Sequence, residues 1–360
     1  MKQNQIATFR LFTQHISHQH LTTLKDLMCY MGAMQAQDFA MTRWATGLRL
    51  PGLTDQQFLQ EYNKGNIIRT HLLRPTWHLV SAEDIHWMLD LTAPQIKTFM
   101  RSNNKLLGLT SDILLKSQKL LIKALRDHHH LTREKLIPLY QKANIPINEN
   151  RLSHLLMDAE LDGHICSGRI KHNKLTYALM PERVPNKKIH PREEALALLA
   201  NRYFKSHAPA TLKDFTWWSG LGIKDARSAL EMIKPQLISA SILNETYYFP
   251  DIKLPTSKKK SVSLLPSFDE YLISYKDRAA ALHADHHRKL ISINGIFWPC
   301  ILLNGQVIGS WKRTMKGGHV SIDASLFTNQ ESSIKKLIES QATKYRKFLH
   351  AESCTVKWNE

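Results

Sequence analysis

The sequence has few cysteines, and their positions exclude two common kinds of small protein. The 360 residues include four of them, Cys29, Cys166, Cys300 and Cys354. They lie too far apart in the sequence to supply paired zinc ligands or a disulfide framework. We therefore expect reduced thiols that behave as small buried hydrophobic groups.

Long apolar runs are missing as well. No segment approaches the roughly 18 consecutive apolar residues of a membrane helix. The first residues, MKQNQIATFRLF, lack the apolar core and the cleavage site of a signal peptide. Only 14 glycines and 14 prolines accompany 43% hydrophobic residues, which argues against long disordered or fibrous segments. We expect a soluble, cytoplasmic protein of about two to four domains.

Motifs for cofactors and metals are absent too. No glycine-rich phosphate loop precedes a helix, so we expect neither ATP use nor another cofactor. Histidines cluster at 128–130 and 283–287, but they lack helical i, i+4 pairing with a carboxylate shell. We therefore predict no metal site, and a two-metal nuclease lacks its cluster of carboxylates.

Acidic residues are scarce relative to basic ones. Lysine and arginine number 49 against 31 aspartates and glutamates, which gives a net charge of +18. Such a chain has a polyanion as its natural partner, nucleic acid first and an anionic membrane surface second. No basic amphipathic helix favours the membrane. Lys258, Lys259 and Lys260 are candidate phosphate contacts, with a solvated lysine run as the alternative.

The pattern of helices and strands repeats along the chain. Residues 134–142 and 152–159 have helical spacing with a turn at Pro146 between them, and two short strands follow Gly163. Helix, turn, helix and hairpin is the order of a winged helix. The same order recurs elsewhere, and the sequence becomes rich in strand patterns near its end. The predicted class is α+β, mainly α, with three tandem winged helices over 1–127 (including a helical spacer), 128–184 and 190–252, and a β-barrel-like region with a closing helix over 262–360.

Two glutamines stand at an unusual place, in the stretch Met34-Gln35-Ala36-Gln37-Asp38. Residues two apart on a helix point about 200° from each other, so both amides can reach one ligand only if the helix has ended. Asp38 fits as the N-cap of a following helix. A continuing helix would instead bury Gln35 on its apolar face and expose Gln37. We therefore place the pair at a junction between two helices, facing the expected nucleic acid. The alternative is that both amides merely cap a helix end.

Four segments, in this order, resemble the winged-helix DNA glycosylases of the AlkZ and YcaQ group: MGAMQAQD, RTHLLRPTWHLVSAED, LLPSFDEYLISYKDR and VIGSWKR. The resemblance implies tandem winged helices and a C-terminal β-barrel forming a C shape around DNA. It implies excision of alkylated purines in base excision repair, and some members unhook interstrand crosslinks. The catalytic motif of the group matches Gln35-Ala36-Gln37 here, with Ala36 small for the apolar middle position. A monomer near the nucleoid, acting on damaged double-stranded DNA, is the expectation.

The chemistry suits two neutral amides. A purine alkylated at N7 or N3 is cationic and leaves as a neutral base, so the transition state places positive charge on the sugar. An amide carbonyl can orient a water and favour that charge without accepting a proton. We expect Gln37 to hold the water and Gln35 to contact the sugar or fix Gln37. No lysine is singled out as a Schiff-base nucleophile, so we expect a monofunctional glycosylase.

Further candidates are cationic or aromatic residues within the family segments or near them. Such groups hold phosphates or stack on bases. The predicted DNA contacts, besides the three lysines above, are Arg43, Trp44, Arg74, Trp77, His78, Lys276, Arg278, Trp311 and Arg313. Trp44, Trp77 and His78 have core packing as their alternative. Asp38 and Asp269 are alternative acid–base groups, although we favour a structural ion-pair network for Asp269.

A non-enzymatic winged-helix DNA-binding protein is the competing function, either a transcriptional regulator or an architectural factor. Winged helices serve both purposes, and the fold alone does not decide between them. A regulator usually carries a dimerisation element, and the sequence shows no coiled-coil heptads and no ligand-binding domain.

Overall fold

The protein combines helices and strands in a computed structural model that describes residue 2 and residues 5–254 and 259–359. Helices account for 47% and strands for 21%, in agreement with the predicted mixture in which helix prevails. A short first helix, α1, spans Ile6–Thr13. Every helix in the described part of the chain is too short or too polar to cross a membrane.

The first structural unit is a small sheet with three helices. Its elements are α2 (Leu24–Met31), β1 (Ala33–Gln35), α3 (Phe39–Arg49), α4 (Asp55–Lys64), β2 (Ile67–Leu72) and β3 (Thr76–Ser81). Strand β3 lies between β1 and β2 and is antiparallel to both. Thr54 begins α4 with a capping box, and Gly65 ends it in the left-handed conformation. Strands β2 and β3 form a hairpin around Pro75.

The second unit repeats this plan after a long connecting helix, α5 (Ile85–Leu106). It comprises α6 (Ser111–Leu125), β4 (Leu131–Thr132), α7 (Arg133–Lys142), α8 (Arg151–Leu161), β5 (Ile165–Ser167) and β6 (Thr176–Leu179), with the strand order β4-β6-β5. Leu121 and Leu125 of α6 share one core with Tyr140 and Leu155. Helix α6 thus packs with the second unit, and the predicted spacer ends before it.

The third unit follows a one-turn helix, α9 (Met180–Arg183). It comprises α10 (Arg192–Ser206), α11 (Leu212–Ser219), α12 (Ile223–Ile233), β7 (Ile238–Ile242) and β8 (Glu245–Phe249). Ala210 bridges Tyr248 and stands where the other units have their first strand. Thr211 caps α11 through a capping box with Asp214. Helix, strand, helix, helix and hairpin therefore recur three times, and three winged helices remain our interpretation of that recurrence.

The C-terminal region is an open sheet with a helix packed on it. Its elements are β9 (Val262–Leu265), α13 (Glu270–Ile273), α14 (His287–Leu290), β10 (Cys300–Leu303), β11 (Gln306–Lys316), β12 (His319–Leu326), α15 (Ser332–Leu349) and β13 (Ser353–Asn359). The strand order β13-β12-β11-β10-β9 leaves β9 and β13 at opposite edges. The predicted barrel is therefore wrong for the described residues, because the first and last strands do not pair. A strand, β13, follows the predicted closing helix.

Helix α3 joins the first unit to the C-terminal region. Ala45 of α3 packs with Met28 and Phe58 of its own unit, whereas Trp44 packs with Leu264 in the core beneath the C-terminal sheet. A third core combines β3 and α5 with helices α10 to α12. The segment before α3 consequently lies where three parts of the molecule meet.

Candidate active site

The segment 33–37 is extended because a glycine ends the helix before it. Gly32 has a φ of 77°, a conformation that side-chain-bearing residues rarely adopt, and its backbone N–H closes α2 onto Met28. Strand β1 follows directly. Asp38 then accepts a hydrogen bond from the Met41 backbone N–H at 3.1 Å and starts α3. The predicted helix break and the predicted N-cap are both confirmed.

Gln35 is fixed on three sides. Its backbone N–H donates to Glu270 Oε1 at 2.5 Å, and its carbonyl accepts from the Thr42 hydroxyl at 3.1 Å. Its side-chain Oε1 accepts from Arg74 Nη2 at 2.9 Å. Only 5% of Gln35 is exposed. The side-chain carbonyl of Gln35 is therefore already hydrogen-bonded to a guanidinium.

Gln37 differs in every respect. It is exposed, and its side chain makes no hydrogen bond to any described residue. The residue before it is held firmly, because Ala36 donates its N–H to the Trp77 carbonyl at 2.6 Å and accepts from Arg69 Nε at 2.9 Å. The sequence places both amides at a helix junction facing the DNA; Gln37 is exposed as this requires, whereas Gln35 is buried and bonded to Arg74 although α2 ends before it. Gln37 presents a free amide on an anchored backbone.

A buried carboxylate, Glu270, holds the backbone of Gln35 in place. Glu270 is 1% exposed and accepts hydrogen bonds from Gln35 N–H, from Trp218 Nε1 at 3.1 Å and from the Ser274 hydroxyl, with His207 Nε2 at 3.4 Å. Burial alone would raise its pKa, but His207, Ser274 and the Gln35 N–H together hold the pKa of Glu270 below its usual range. The carboxylate is thus ionised and fixes the end of β1.

Three of the predicted DNA contacts converge on one tryptophan. Trp217 is 36% exposed, and its indole N–H donates to the Ile273 carbonyl at 2.9 Å. Lys276, Arg278 and Arg74 place their charges 4.8, 5.5 and 5.8 Å from its ring centroid. Within the described part of the chain none of the three forms an ion pair. Burial, followed by the charge of Arg74, lowers the pKa of Arg278 to about 10.

Three other predicted contacts are buried. Trp44, Trp311 and His78 are 3%, 1% and 0% exposed. The two indole N–H groups donate to the carbonyls of Leu264 and Leu265, and burial lowers the pKa of His78 to about 3. A direct DNA contact is therefore wrong for all three, and core packing accounts for them.

The remaining candidates have partners elsewhere. Arg43 pairs with Asp55 at 3.1 Å, Arg313 donates to the Tyr345 hydroxyl at 2.5 Å, and Lys260 pairs with Glu331 at 2.9 Å. Trp77 is half-buried beneath the guanidinium of Arg69, 4.2 Å from its ring centroid. Lys259 is exposed, and Lys258 lies outside the described residues.

The two alternative acid–base groups also have structural partners. Asp269 is 3% exposed and receives Arg49 Nη2 at 2.8 Å, as the ion-pair interpretation predicts. A role as a general base does not fit this burial. Asp38 is half-buried, caps α3 and accepts from the Ser267 hydroxyl at 3.2 Å.

Sequence reasoning missed Trp217, Arg69 and the support given by Glu270 to Gln35. The signal for Trp217 is its doublet with Trp218. Neighbouring helical residues point about 100° apart. A helix that buries one tryptophan therefore places the other at the boundary between its buried and exposed faces. Arg69 and Glu270 act across more than 30 and 230 residues, and their hydrogen bonds have no local sequence signature.

Comparisons with known proteins identify a matching family model and a similar fold. The model of a family described as "DNA glycosylase AlkZ-like" matches residues 30–348. Among solved structures, the DNA glycosylase AlkZ of Streptomyces sahachiroi is similar with a TM-score of 0.83 and 18% sequence identity, over 100% of both chains. A search of curated proteins found no match.

Proposed function

The chain belongs to the AlkZ-like family of DNA glycosylases, and on this premise we propose that it excises purines alkylated at N7 or N3 from double-stranded DNA. Unhooking of interstrand crosslinks is the second part of the proposal. The observation that carries it is the exposed amide of Gln37 beside the anchored Gln35. A cationic purine leaves as a neutral base, so the protein needs no acid to protonate it.

The contacts of the two amides support different roles. Gln37 has a free carbonyl that can orient the attacking water and face the positive charge developing on the sugar. The carbonyl of Gln35 already accepts from Arg74, and a guanidinium beside it disfavours a second cation. We therefore assign the catalytic contact to Gln37, and we assign to Gln35 the positioning of Arg74 and of the strand end.

Hydrolysis without a lyase step is part of the proposal. A lyase needs an amine at the sugar to form a Schiff base. Among the described residues, those that hydrogen-bond the segment 35–37 are Thr42, Arg69, Arg74, Trp77 and Glu270. None is a lysine, which supports water as the nucleophile.

The cations around Trp217 would bind the DNA backbone beside the Gln35–Gln37 motif. Three positive charges near one ring repel one another, and a phosphodiester would offset that repulsion. The indole face offers a stacking surface for a base. Arg74 connects the two features, since one nitrogen contacts Gln35 and the other donates to the Trp217 carbonyl at 3.3 Å.

The decisive experiment is a product assay. Purified protein is incubated with duplex DNA that carries N7-methylguanine, and in parallel with a nitrogen-mustard crosslink, and the released base is identified by mass spectrometry. We expect free N7-methylguanine and an abasic strand that stays intact until alkali is added. Release of no base from either substrate, with tight duplex binding, would contradict the proposal and favour the non-enzymatic DNA binder.

A further inference from the structure

A cavity lies beside the C-terminal half of α3, at the end of that helix far from the glutamines. It has a volume of about 840 Å³ and is bounded by the C-terminal end of α3, the loop 51–54, the start of β9 and one side of α15. Gln37 precedes the other end of α3. Eleven helical residues separate the two ends by about 16 Å. The cavity is therefore separate from the proposed active site.

The floor of this cavity is apolar. Its lining includes Leu48 of α3, Val262 of β9, and Leu337 and Phe348 of α15. Leu48, Val262 and Phe348 are largely buried, and the ring of Phe348 rests on Gly47, where even a Cβ atom would lie 2.5 Å from it. The volume falls within the range of about 300–1,000 Å³ that is typical of ligand sites. Such a floor can accept large apolar side chains.

The rim of the cavity is positively charged. Lysines, an arginine and a histidine line it, and no aspartate or glutamate does so among the described residues. Two of the cations already have partners within the protein, because Lys260 pairs with Glu331 and Arg346 donates to the Ala351 carbonyl. Lys344 and Lys347 are exposed one turn apart on α15, and the described residues provide neither with an ion-pair partner. The rim therefore offers two free cations beside the apolar floor.

We propose that this cavity is a docking groove for an acidic peptide segment of a partner protein, with large apolar side chains between its carboxylates. The carboxylates would face Lys344 and Lys347, and the apolar side chains would fill the floor. A second copy of the chain is a poor occupant, because each copy carries a net charge of +18. The phosphates of duplex DNA could pair with the cations of the rim, but DNA has no apolar side chains to fill the floor. The groove thus carries an interaction that is independent of the glycosylase activity.

Fluorescence anisotropy with the full chain tests the proposal. The probe is a labelled peptide that alternates aspartate with leucine or phenylalanine. One control peptide has serine at the apolar positions, and another has asparagine at the acidic ones. The double variant Lys344→Glu, Lys347→Glu should weaken binding of the probe by about tenfold or more. Lys316→Glu combined with Lys336→Glu is the matched control, since both exposed lysines lie outside the groove and the change in net charge is the same.

The expected result is saturable binding of the probe that needs both its acidic and its apolar residues. Duplex affinity should be equal in the double variant and in its matched control. Equal binding of the serine peptide would overturn the proposal, because charge alone would then explain the attraction. Competition by duplex DNA, with a loss of duplex affinity specific to the double variant, would overturn it in favour of a DNA surface. Absence of probe binding would overturn it outright.

Discussion

At the scale of single residues, the site depends on the different environments of two identical side chains. Gln35 is buried and bonded to Arg74, whereas Gln37 is exposed on a backbone that Arg69 and Trp77 hold. An amide that orients water gains when its backbone is held in place, because less of the site then has to rearrange during the reaction. The proposed division of labour between the two glutamines rests on their different partners.

Arg74 provides a test at this scale. Its two terminal nitrogens contact Gln35 and the Trp217 carbonyl separately, and a lysine ammonium cannot replace that planar fork. Arg74→Lys should therefore lower the single-turnover excision rate by about tenfold or more, since small misplacements of catalytic groups are costly. Duplex affinity should fall less, because the charge remains. Arg227→Lys, an exposed residue on α12, is the control; equal rates in the two variants would argue against a positioning role.

Sequence reasoning at this scale succeeded for the helix break at the motif and failed for Gln35 and several aromatic residues. The burial of Gln35 depends on Arg74 and Glu270, which are distant in sequence. Trp44, Trp311 and His78 were predicted at the DNA because of their neighbours in sequence. Their burial depends on the C-terminal sheet packing against α3 and on the strand pairing of the first unit, and no local pattern encodes either contact.

At the scale of elements, the essential feature is the interruption between α2 and α3. Gly32 ends one helix with a positive φ, and Asp38 begins the next. Three residues of β1 pair with β3 in between, which places Gln35 opposite His78. The cap pattern predicted the start of α3 at Asp38, because a cap depends on nearby residues, whereas the stop at Gly32 and strand β1 were not predicted. The missed strand β13 alternates half-buried and exposed residues, which gives a weak signal.

Substitution of Gly32 tests the interruption. Gly32→Ala forces a side chain into a positive φ at a cost of about 1–2 kcal/mol, and its Cβ would lie 3.4 Å from the Trp218 ring. We expect a lower melting temperature together with slower excision. Gly52→Ala is the matched control, because Gly52 also has a positive φ but faces open space. Equal excision rates in the two variants, at a similar loss of stability, would contradict a special role for this turn.

At the scale of the whole molecule, a repeated helix–strand plan and an excess of positive charge support DNA as the substrate. The open C-terminal sheet replaces the predicted barrel. A closed barrel would require β9 to pair with β13, but the two strands lie at opposite edges of the sheet. The strand order depends on long-range pairing, which a local sequence pattern does not predict. Many cations have carboxylate partners, whereas those around Trp217 stay unpaired among the described residues.

The charge leads to a prediction about affinity. Binding to undamaged duplex should tolerate any sequence and weaken steeply with salt, because bound phosphates release their counterions. Six neutralised phosphates correspond to a loss of about a thousandfold in affinity between roughly 50 and 200 mM salt. Anisotropy titrations over a salt series measure the slope. A flat response, or a strong preference for one operator sequence, would favour the regulator.

The central claim is that a neutral amide at Gln37 organises the reaction without exchanging a proton. Single-turnover excision of N7-methylguanine by wild type, Gln37→Ala and Gln37→Asp, between about pH 5 and 9, tests it most directly. The account predicts a loss of about a hundredfold or more for Gln37→Ala and retained activity for Gln37→Asp, whose carboxylate also holds water and faces the sugar cation. It also predicts a wild-type rate with no decline toward the pKa of a free carboxylate, ~4. Excision by Gln37→Ala at the wild-type rate would contradict the claim. So would a wild-type rate that falls with a single acidic ionisation, together with a loss of activity in Asp38→Asn.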